Sequence, residues 1–360
     1  MKKKETDVVL GTMIGMAIGD VGNYSTSVKD EEPQLSVGTL LSLYTANAFL
    51  LWEATKVVKK KSLPLKEYVR RAYVEGMQTQ KRGKDEGILR SPKFWLSRVK
   101  ELYTDRKKNR NTIWAGHLVN KEIDDGSCLA RVIPVAIYSA LHTEEISQKK
   151  MLHMAVDFAK ISHPNPTGYL AAGILAILLR SVVEQRATDR NKLAFELDRG
   201  LGLMAEEYIE EREVAADLRI RLHRASWLAI SQETDEAALS ELAQGETALD
   251  CLSMALFCVF RYQKNLKAAL NTVESFTQRS YGDYSMVGTV TGALIGARVG
   301  RNLLSKPSLR KVKLLPIIEE IGNDLVCGFP TWENGMTEEL SVWLQKYREA
   351  IWPAVLIKHE

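Results

Sequence analysis

Apolar residues recur along most of this chain with the spacing of three to four residues that is typical of an amphipathic helix. Segments with this period lie at Val9–Ile18, 40–51, 129–141, 166–183, 247–261, Ser308–Ile321 and Thr337–Arg348. No segment shows the strict alternation of apolar and polar residues that marks a strand. The pattern predicts an all-α protein, built as a compact multi-helix bundle.

Proline, glycine and charge place the ends of these elements. Pro164 and Pro166 predict the start of the helix that runs to about Val183, because proline is tolerated where a helix begins. Loops are expected at Lys29–Gln34, Gly83–Pro92 and Phe329–Gly335. A highly charged stretch at 206–246 predicts a pair of peripheral helices. Since no segment has the composition of a linker, we expect a single domain over 1–360.

Composition narrows the class of protein. The 360 residues are 45% hydrophobic and 26% charged, which is ordinary for a soluble globular protein. The longest apolar run, Tyr169–Leu179, is too short to span a bilayer, and no export signal is recognisable, so no membrane partner is expected. The four cysteines lack the spacing of metal ligands and indicate a reduced, cytoplasmic setting.

The net charge of +4 is unevenly distributed. Residues 56–110 contain eighteen Lys or Arg and six Asp or Glu, a local charge of +12 that leaves −8 for the remainder. Such a segment is compatible with a polyanion or an anionic protein as partner. A solvated helical surface is the simpler explanation, and we favour it. The aromatic residues within it have helical spacing, which is more typical of a core than of base stacking.

Glycines at every fourth position form a stripe near the C-terminus. The stripe consists of Gly288, Gly292, Gly296 and Gly300, and polar residues interrupt the apolar run around it. Small residues at this spacing allow two helices to approach closely. We expect a close helix–helix contact inside the bundle rather than a contact in a membrane.

Five short motifs follow one another along the chain. The first comprises Gly11, Gly15, Ala17, Gly19 and Asp20. The second is Ser36-Val37-Gly38-Thr39. The third is Asp125-Gly126-Ser127-Cys128, followed by Arg131 and Pro134. The fourth is Ser162-His163-Pro164-Asn165-Pro166. The fifth begins with Gly282-Asp283-Tyr284-Ser285-Met286 and continues through Gly292, Ala293, Leu294, Gly296 and Ala297.

In this order the five motifs resemble those of the ADP-ribosylglycohydrolases and cover most of the chain. The resemblance implies that family's all-α fold. It also implies its activity, the metal-dependent hydrolysis of ADP-ribose linkages. In the family, two magnesium ions lie between a T-D-D-T motif, matched here by Ser36–Thr39, and a D-T-D-T motif, matched here by Asp283–Met286.

The metal-ligand positions are mostly replaced. Val37 and Gly38 stand at the two carboxylates of the first motif, and Ser285 and Met286 stand at ligands of the second. Two adjacent dications need several carboxylates, and only Asp283 remains. We therefore expect no dinuclear site and no cofactor, with magnesium bound only if catalysis persists. Asp283 is then either a remaining ligand or the N-cap of the following helix.

Other acidic residues are candidates to replace the missing carboxylates. Asp124 and Asp125 lie beside the third motif and are weak candidates for catalysis, as is Asp283. Asp20 matches a position that the resemblance marks as mainly structural. Asp30, Glu31 and Glu32 are further candidates, but their surroundings indicate an exposed loop.

The resemblance also implies a ligand-binding set. Its members are Gly126, Ser127, His163, Asp283, Ser36 and Thr39. Gly126 and Ser127 precede a helix, where backbone amides and the helix dipole favour a phosphate, or where Ser127 simply caps the helix. His163 is either a hydrogen-bond partner of the ligand or an internal polar residue.

Three functions remain open from the sequence. The replaced ligands favour a pseudoenzyme that binds ADP-ribose, a related nucleotide or a macromolecular partner. The first alternative is an active ADP-ribosyl hydrolase with a rearranged metal site. The second is a structural or protein-interaction role without a small ligand. Whether the protein is an enzyme is left undecided at this point, because function resides in the site rather than in the fold.

Overall fold

The structure is a computed structural model of the 360-residue chain. It describes residues 2–24, 35–59, 62–81, 89, 91–103, 124–280, 285–330 and 338–348. The predicted loops at Lys29–Gln34, Gly83–Pro92 and Phe329–Gly335 lie wholly or mostly outside these residues.

Every regular element in the described residues is helical. The α-helices are α1 (Lys2–Tyr24), α2 (Val37–Lys59), α3 (Leu65–Lys81), α4 (Ser127–Arg131), α5 (Ile133–Leu141), α6 (Gln148–Lys160), α7 (Pro166–Val183), α8 (Arg190–Glu207), α9 (Arg212–Leu228), α10 (Asp235–Leu242), α11 (Ala248–Tyr262), α12 (Leu266–Thr277), α13 (Ser285–Val299), α14 (Lys306–Arg310), α15 (Leu315–Cys327) and α16 (Glu338–Lys346). Short 3-10 turns lie at Leu96–Arg98, Lys100–Leu102, Ile209–Glu211 and Arg301–Leu303. The predicted all-α fold class is confirmed.

The chain divides into two compact units. The first comprises Met1–Ser42 and Val119–Gly322, and the second comprises Leu43–Leu118 and Asn323–Glu360. Helices α2 and α15 each begin in the first unit and continue in the second. The single domain over 1–360 stays a prediction.

In the first unit, α1 and α13 pack backbone against backbone. A β-carbon on Gly15 would lie 2.2 Å from the carbonyl oxygen of Gly292, and one on Gly19 would lie 1.9 Å from the carbonyl oxygen of Gly288. Only hydrogen fits at these positions, since β-carbons do not approach other heavy atoms so closely. The predicted glycine stripe therefore makes the expected close contact, and its partner is the glycine series of α1.

Helix α7 is the apolar centre of the first unit. The helix begins where the prolines predicted. Asn165 is the N-cap, and its side chain accepts a hydrogen bond from the Thr167 amide at 3.0 Å. Pro166 is the first residue of the helix. The helix is eighteen residues long and apolar enough to cross a membrane by length and composition, so the sequence estimate from Tyr169–Leu179 was too short. However, 83% of it is buried inside the protein, as expected for a core helix.

The predicted helix at Ser308–Ile321 is wrong as a single element. The structure has α14 and α15 there, separated by a break after Arg310. Pro316 is the physical reason, since proline has no amide donor and is accommodated only in the first turn of a helix. It lies at the second position of α15.

The charged stretch at 206–246 is mostly helical in the structure. It contains the end of α8, the turn at Ile209–Glu211, and then α9 and α10. The exposed ion pair between Arg224 and Glu241 joins α9 to α10, with both side chains 43% exposed. Helices α9 and α10 thus account for most of this charged stretch.

The second unit contains the described part of the basic segment. Trp95 is half-buried, and the other aromatic side chains of the segment, Tyr68, Tyr73, Phe94 and Tyr103, are all at most 4% exposed. The buried Glu75 carboxylate accepts hydrogen bonds from the backbone amides of Lys93 and Phe94, which fixes the chain before the first 3-10 turn. These aromatic residues therefore form a core, as their spacing predicted, and are not available for base stacking.

Candidate functional site

The start of α2 uses its polar groups internally. The Ser36 hydroxyl accepts a hydrogen bond from the Thr39 amide at 3.2 Å, which caps the helix. The Ser36 amide in turn donates to the buried Asp20 carboxylate at 2.6 Å, and the Thr289 hydroxyl donates to its other oxygen at 3.3 Å. Asp20 thus joins α1, α2 and α13, in agreement with a structural role. Ser36 and Thr39, two of the predicted ligand-binding residues, are both buried.

A thioether lies where two of the predicted metal motifs meet. A β-carbon on Gly38 would lie 3.1 Å from Met286 Sδ and 3.5 Å from Ser127 Cβ. The starts of α2, α4 and α13 are therefore close together, as the order of the motifs implies. Met286 is buried at 6% exposure, and its soft sulfur is a poor ligand for a hard cation.

The described donors do not fit a dinuclear magnesium site. Within the part of the chain that the structure describes, no group of three or more His, Cys, Asp or Glu side chains is placed to hold a metal ion. Gly38 has no side chain, Val37 is apolar, and the Ser36 hydroxyl already serves as a helix cap. Asp283 and the side chain of Ser285 lie outside the described residues, so the expected absence of magnesium stays a prediction.

The Asp125–Ser127 loop was interpreted from the sequence either as a phosphate-binding helix start or as a helix capped by Ser127. The structure shows how the groups of this loop are used. Gly126 is the N-cap of α4, so the suggestion that Ser127 caps this helix is wrong. Instead, the Asp125 carboxylate accepts a hydrogen bond from the Ser127 amide at 2.8 Å. An amide predicted to face a phosphate is therefore bound by a carboxylate of the chain, and α4 is only five residues long. Gly126 is required by space, because a β-carbon there would lie 2.7 Å from Cys251 Sγ.

His163 is the centre of a polar cluster with this loop. Its Nε2 atom lies 3.2 Å from Ser127 Oγ and 3.3 Å from Asp125 Oδ1. On the other side of the ring, Nδ1 lies 2.8 Å from Ser162 Oγ. The histidine is fully buried, whereas the Asp125 side chain is 51% exposed. The structure thus brings together the predicted residues Ser127 and His163 with the weak candidate Asp125.

Arg131 completes the cluster and determines how its hydrogens are shared. Its guanidinium donates to the hydroxyls of Ser162 and Ser127. Arg131 Nη1, which can only donate, also lies 3.5 Å from His163 Nδ1, so this ring nitrogen is an acceptor. This leaves the hydrogen of a neutral imidazole on Nε2, facing Asp125. Sequence reasoning placed Arg131 in a motif without a role, although its i,i+4 spacing from Ser127 was a usable signal.

The pKa values of the cluster favour a neutral histidine beside an ionised carboxylate. Burial lowers the pKa of His163, and the positive charge of Arg131 acts in the same direction against the opposing contact with Asp125. Burial alone would raise the pKa of Asp125, but the hydrogen bonds from His163 and Ser127 outweigh it and hold that pKa well below its usual range. Asp125 is consequently an anion at all physiological pH values.

A pH dependence of stability follows from His163. Because its pKa is lower in the folded than in the unfolded state, the unfolded chain binds the additional proton as pH falls. Stability is fully present above about pH 6.5 and decreases below it, by at most about 1.4 kcal/mol per pH unit. Urea unfolding at pH 7.5 and 5.5 measures this loss. His163→Gln should reduce the difference between the two pH values.

Two further residues that the sequence reasoning missed hold the loop in place. Thr247 and Asp250 form a capping box at the start of α11. Thr247 pairs with Asp125 in the isolated bridge, and the Ala248 amide donates to the Asp124 carbonyl at 2.6 Å. Burial, together with the charges of Asp125 and Asp250, raises the pKa of Asp124. The spacing T-x-x-D before an apolar run was the available sequence signal.

Comparison with known proteins identifies the family and the fold of the chain. The model of the ADP-ribosylglycohydrolase family matches residues 1–335. A solved structure described as "ADP-ribosylglycohydrolase-related protein complex" is similar in fold, with a TM-score of 0.54 and 20% sequence identity over 90% of this chain and 99% of that one. No curated protein matches significantly. The family match spans most of the chain, and the chain therefore belongs to the ADP-ribosylglycohydrolase family.

Proposed function

We propose that this protein binds ADP-ribose or a related nucleotide and does not hydrolyse it. The observation that carries this proposal is the contrast between two parts of one site. At the metal positions, Gly38 offers no ligand and Met286 places a thioether beside it. Next to them, the polar cluster of Asp125, Ser127 and His163 is intact.

The Asp125 carboxylate is the group best suited to hold such a ligand. Its Oδ1 atom receives the Ser127 amide and lies 3.3 Å from His163 Nε2, while the side chain remains 51% exposed to solvent. An exposed and permanently ionised carboxylate oxygen accepts hydrogen bonds strongly, and the vicinal hydroxyls of a ribose are matching donors. We therefore assign Asp125 to the ribose rather than assigning the Ser127 amide to a phosphate.

Hydrolysis requires more than this cluster offers. Cleavage of the glycosidic bond develops charge that the family's metal ions would stabilise. A neutral, buried His163 is held by Ser162 and Asp125 and is not positioned as a free general base. Binding without turnover is the function that these groups support best.

The test combines a binding and a turnover measurement. Calorimetric titration with ADP-ribose should show saturable binding that is unchanged by magnesium or by a chelator. Incubation with a mono-ADP-ribosylated protein and magnesium should release no ADP-ribose above the uncatalysed rate. Release that a chelator abolishes would establish the hydrolase alternative, and absence of both binding and release would leave the protein-interaction role.

Variants locate the site within this test. Asp125→Asn should weaken ADP-ribose binding about 10–100-fold, because a charged hydrogen-bond acceptor is lost. Ser127→Trp should abolish binding by occupying the space beside Gly38. Asp157→Asn, an exposed aspartate on α6, is the matched control and should bind as the unmodified protein does. Equal effects of the two Asp→Asn variants would contradict the assignment of Asp125.

We also place the protein in the cytoplasm. The four cysteines, Cys128, Cys251, Cys258 and Cys327, are all free thiols, and free thiols persist in a reducing compartment. Three of them are buried. ADP-ribose as ligand is consistent with the same compartment.

A further inference from the structure

Helix α9 has two large apolar side chains exposed on the side that faces away from the core. Among the described residues, nine large apolar side chains are exposed, and five of them fall within 36 residues. These five are Phe195, Ile209, Ile220, Trp227 and Ile230. On α9 itself Ile220 is 68% exposed and Trp227 is 51% exposed. The seven-residue spacing places both on one side of the helix, opposite the buried face of Leu218, Leu222 and Ala225.

The charges on this outer face are arranged in order along the helix. Glu213 and Asp217 precede Ile220, and Arg224 follows it, and all three are exposed at spacings of three to four residues. We call the five residues Glu213, Asp217, Ile220, Arg224 and Trp227 the outer stripe of α9. Its first half is acidic, and its second half contains Arg224, which also pairs with Glu241 of α10. A partner of a single charge would complement only one half.

A second copy of α9 running in the opposite direction complements both halves. With a two-fold axis at Ile220, Asp217 of one copy lies beside Arg224 of the other, because the two residues are three before and four after the axis. Glu213 then faces Trp227, whose ring already stacks with Arg224 at 4.2 Å. The two Ile220 side chains meet at the centre, and Ala216 leaves room beside the partner's Trp227.

We propose that the outer stripe of α9 is a self-association surface, on which a second copy of this chain packs antiparallel to form a two-fold dimer. The contact is isologous, so each copy contributes the same residues and both surfaces are covered at once. Two large exposed apolar side chains one helical repeat apart, with charges of opposite sign before and after Ile220, suit a contact with a second copy of the same surface. The inference is independent of nucleotide binding.

The first experiment measures the mass of the full chain in solution. Sedimentation equilibrium between about 1 and 100 μM should show a dimer. Ile220→Glu should raise the dissociation constant of this dimer at least tenfold, because a carboxylate placed at the axis faces the same carboxylate of the second copy. Leu303→Glu is the matched control, because Leu303 is 75% exposed in the turn at Arg301–Leu303, and its mass should not change. A monomer at every concentration, or a dimer that survives Ile220→Glu, overturns the proposal.

The second experiment tests the antiparallel arrangement. In the Asp217→Arg dimer, an arginine at position 217 lies beside Arg224 of the second copy. In the Arg224→Asp dimer, an aspartate at position 224 lies beside Asp217 of the second copy. Each variant should therefore raise the dissociation constant of the dimer about tenfold. The double variant D217R/R224D should restore it. The two residues are seven apart on one helix, about 10 Å along its axis, and cannot pair within a chain. Arg224→Asp also disturbs the contact with Glu241, so circular dichroism should verify folding. Failure of the double variant to recover, with both single variants folded, contradicts the antiparallel contact.

Discussion

Replacing Gly15 with alanine is expected to lower the free energy of unfolding by about 3 kcal/mol or more, which is the upper range of overpacking effects. The new methyl group would lie 2.2 Å from the Gly292 carbonyl oxygen. A backbone carbonyl in the middle of α13 cannot rotate away, so α1 and α13 would have to separate. Glycines 11 and 19 would lose their contacts with α13 as well. Denaturant unfolding measures the change, and Gly15→Leu should not fold.

The matched control is a glycine in an equally regular helix with free space around it. Gly202 lies inside α8, and a β-carbon there would meet nothing within 4 Å. Gly202→Ala should therefore stabilise the protein by about 0.5–1 kcal/mol, through the lower backbone entropy of alanine in the unfolded chain. We expect Gly15→Ala to lower the free energy of unfolding and Gly202→Ala to raise it. A small loss at Gly15 would mean that the helices are not in backbone contact.

The sequence predicted this contact without predicting its partner. Glycine at every fourth position indicates that something approaches α13 closely, because small residues on one helical face leave the backbone accessible. It does not say which helix approaches. The glycines of α1 have the same four-residue spacing and were noticed only as part of a motif. Pairing the two stripes by their equal period would have been a sound step, since each needs a partner without side chains.

Much of the candidate site was also predictable, but its hydrogen bonds were not. The motifs indicated that Ser36–Thr39, Gly126–Ser127 and His163 lie together, and the structure brings Gly38 next to Ser127. The direction of a side chain depends on its rotamer and its neighbours, which a single sequence does not contain. For that reason the sequence did not show that Asp125 binds the Ser127 amide. It also did not show that Ser36 is used as a helix cap.

The second large effect is expected at Asp250, whose carboxylate supports both the fold and the site. It is fully buried and accepts hydrogen bonds from the Thr247 amide at 2.8 Å, the Thr247 hydroxyl at 2.9 Å and the Arg221 guanidinium. Asp250→Ala leaves the largely buried Arg221 charge without its partner. Removing one member of such a pair costs about 3–5 kcal/mol. Urea unfolding of the variant measures this loss.

The same substitution should weaken ligand binding. Asp250 holds Thr247, and Thr247 pairs with Asp125 across the isolated bridge. Once the capping box is lost, the loop that carries Asp125 is no longer fixed against α11. Titration with ADP-ribose, performed where Asp250→Ala is still folded, should show an affinity reduced by about tenfold, comparable to the loss of one hydrogen bond to a charged group.

The control is the exposed ion pair on the same helix. Arg224 and Glu241 are bound through two nitrogens but are each 43% exposed. Water already solvates both charges, so Glu241→Ala should cost less than about 1 kcal/mol and leave ADP-ribose affinity unchanged. Both pairs join an arginine of α9 to a carboxylate on a neighbouring helix, and the difference between them is burial. Similar losses for Asp250→Ala and Glu241→Ala would contradict burial as the cause, because the desolvation of Arg221 is what makes the first pair costly to break.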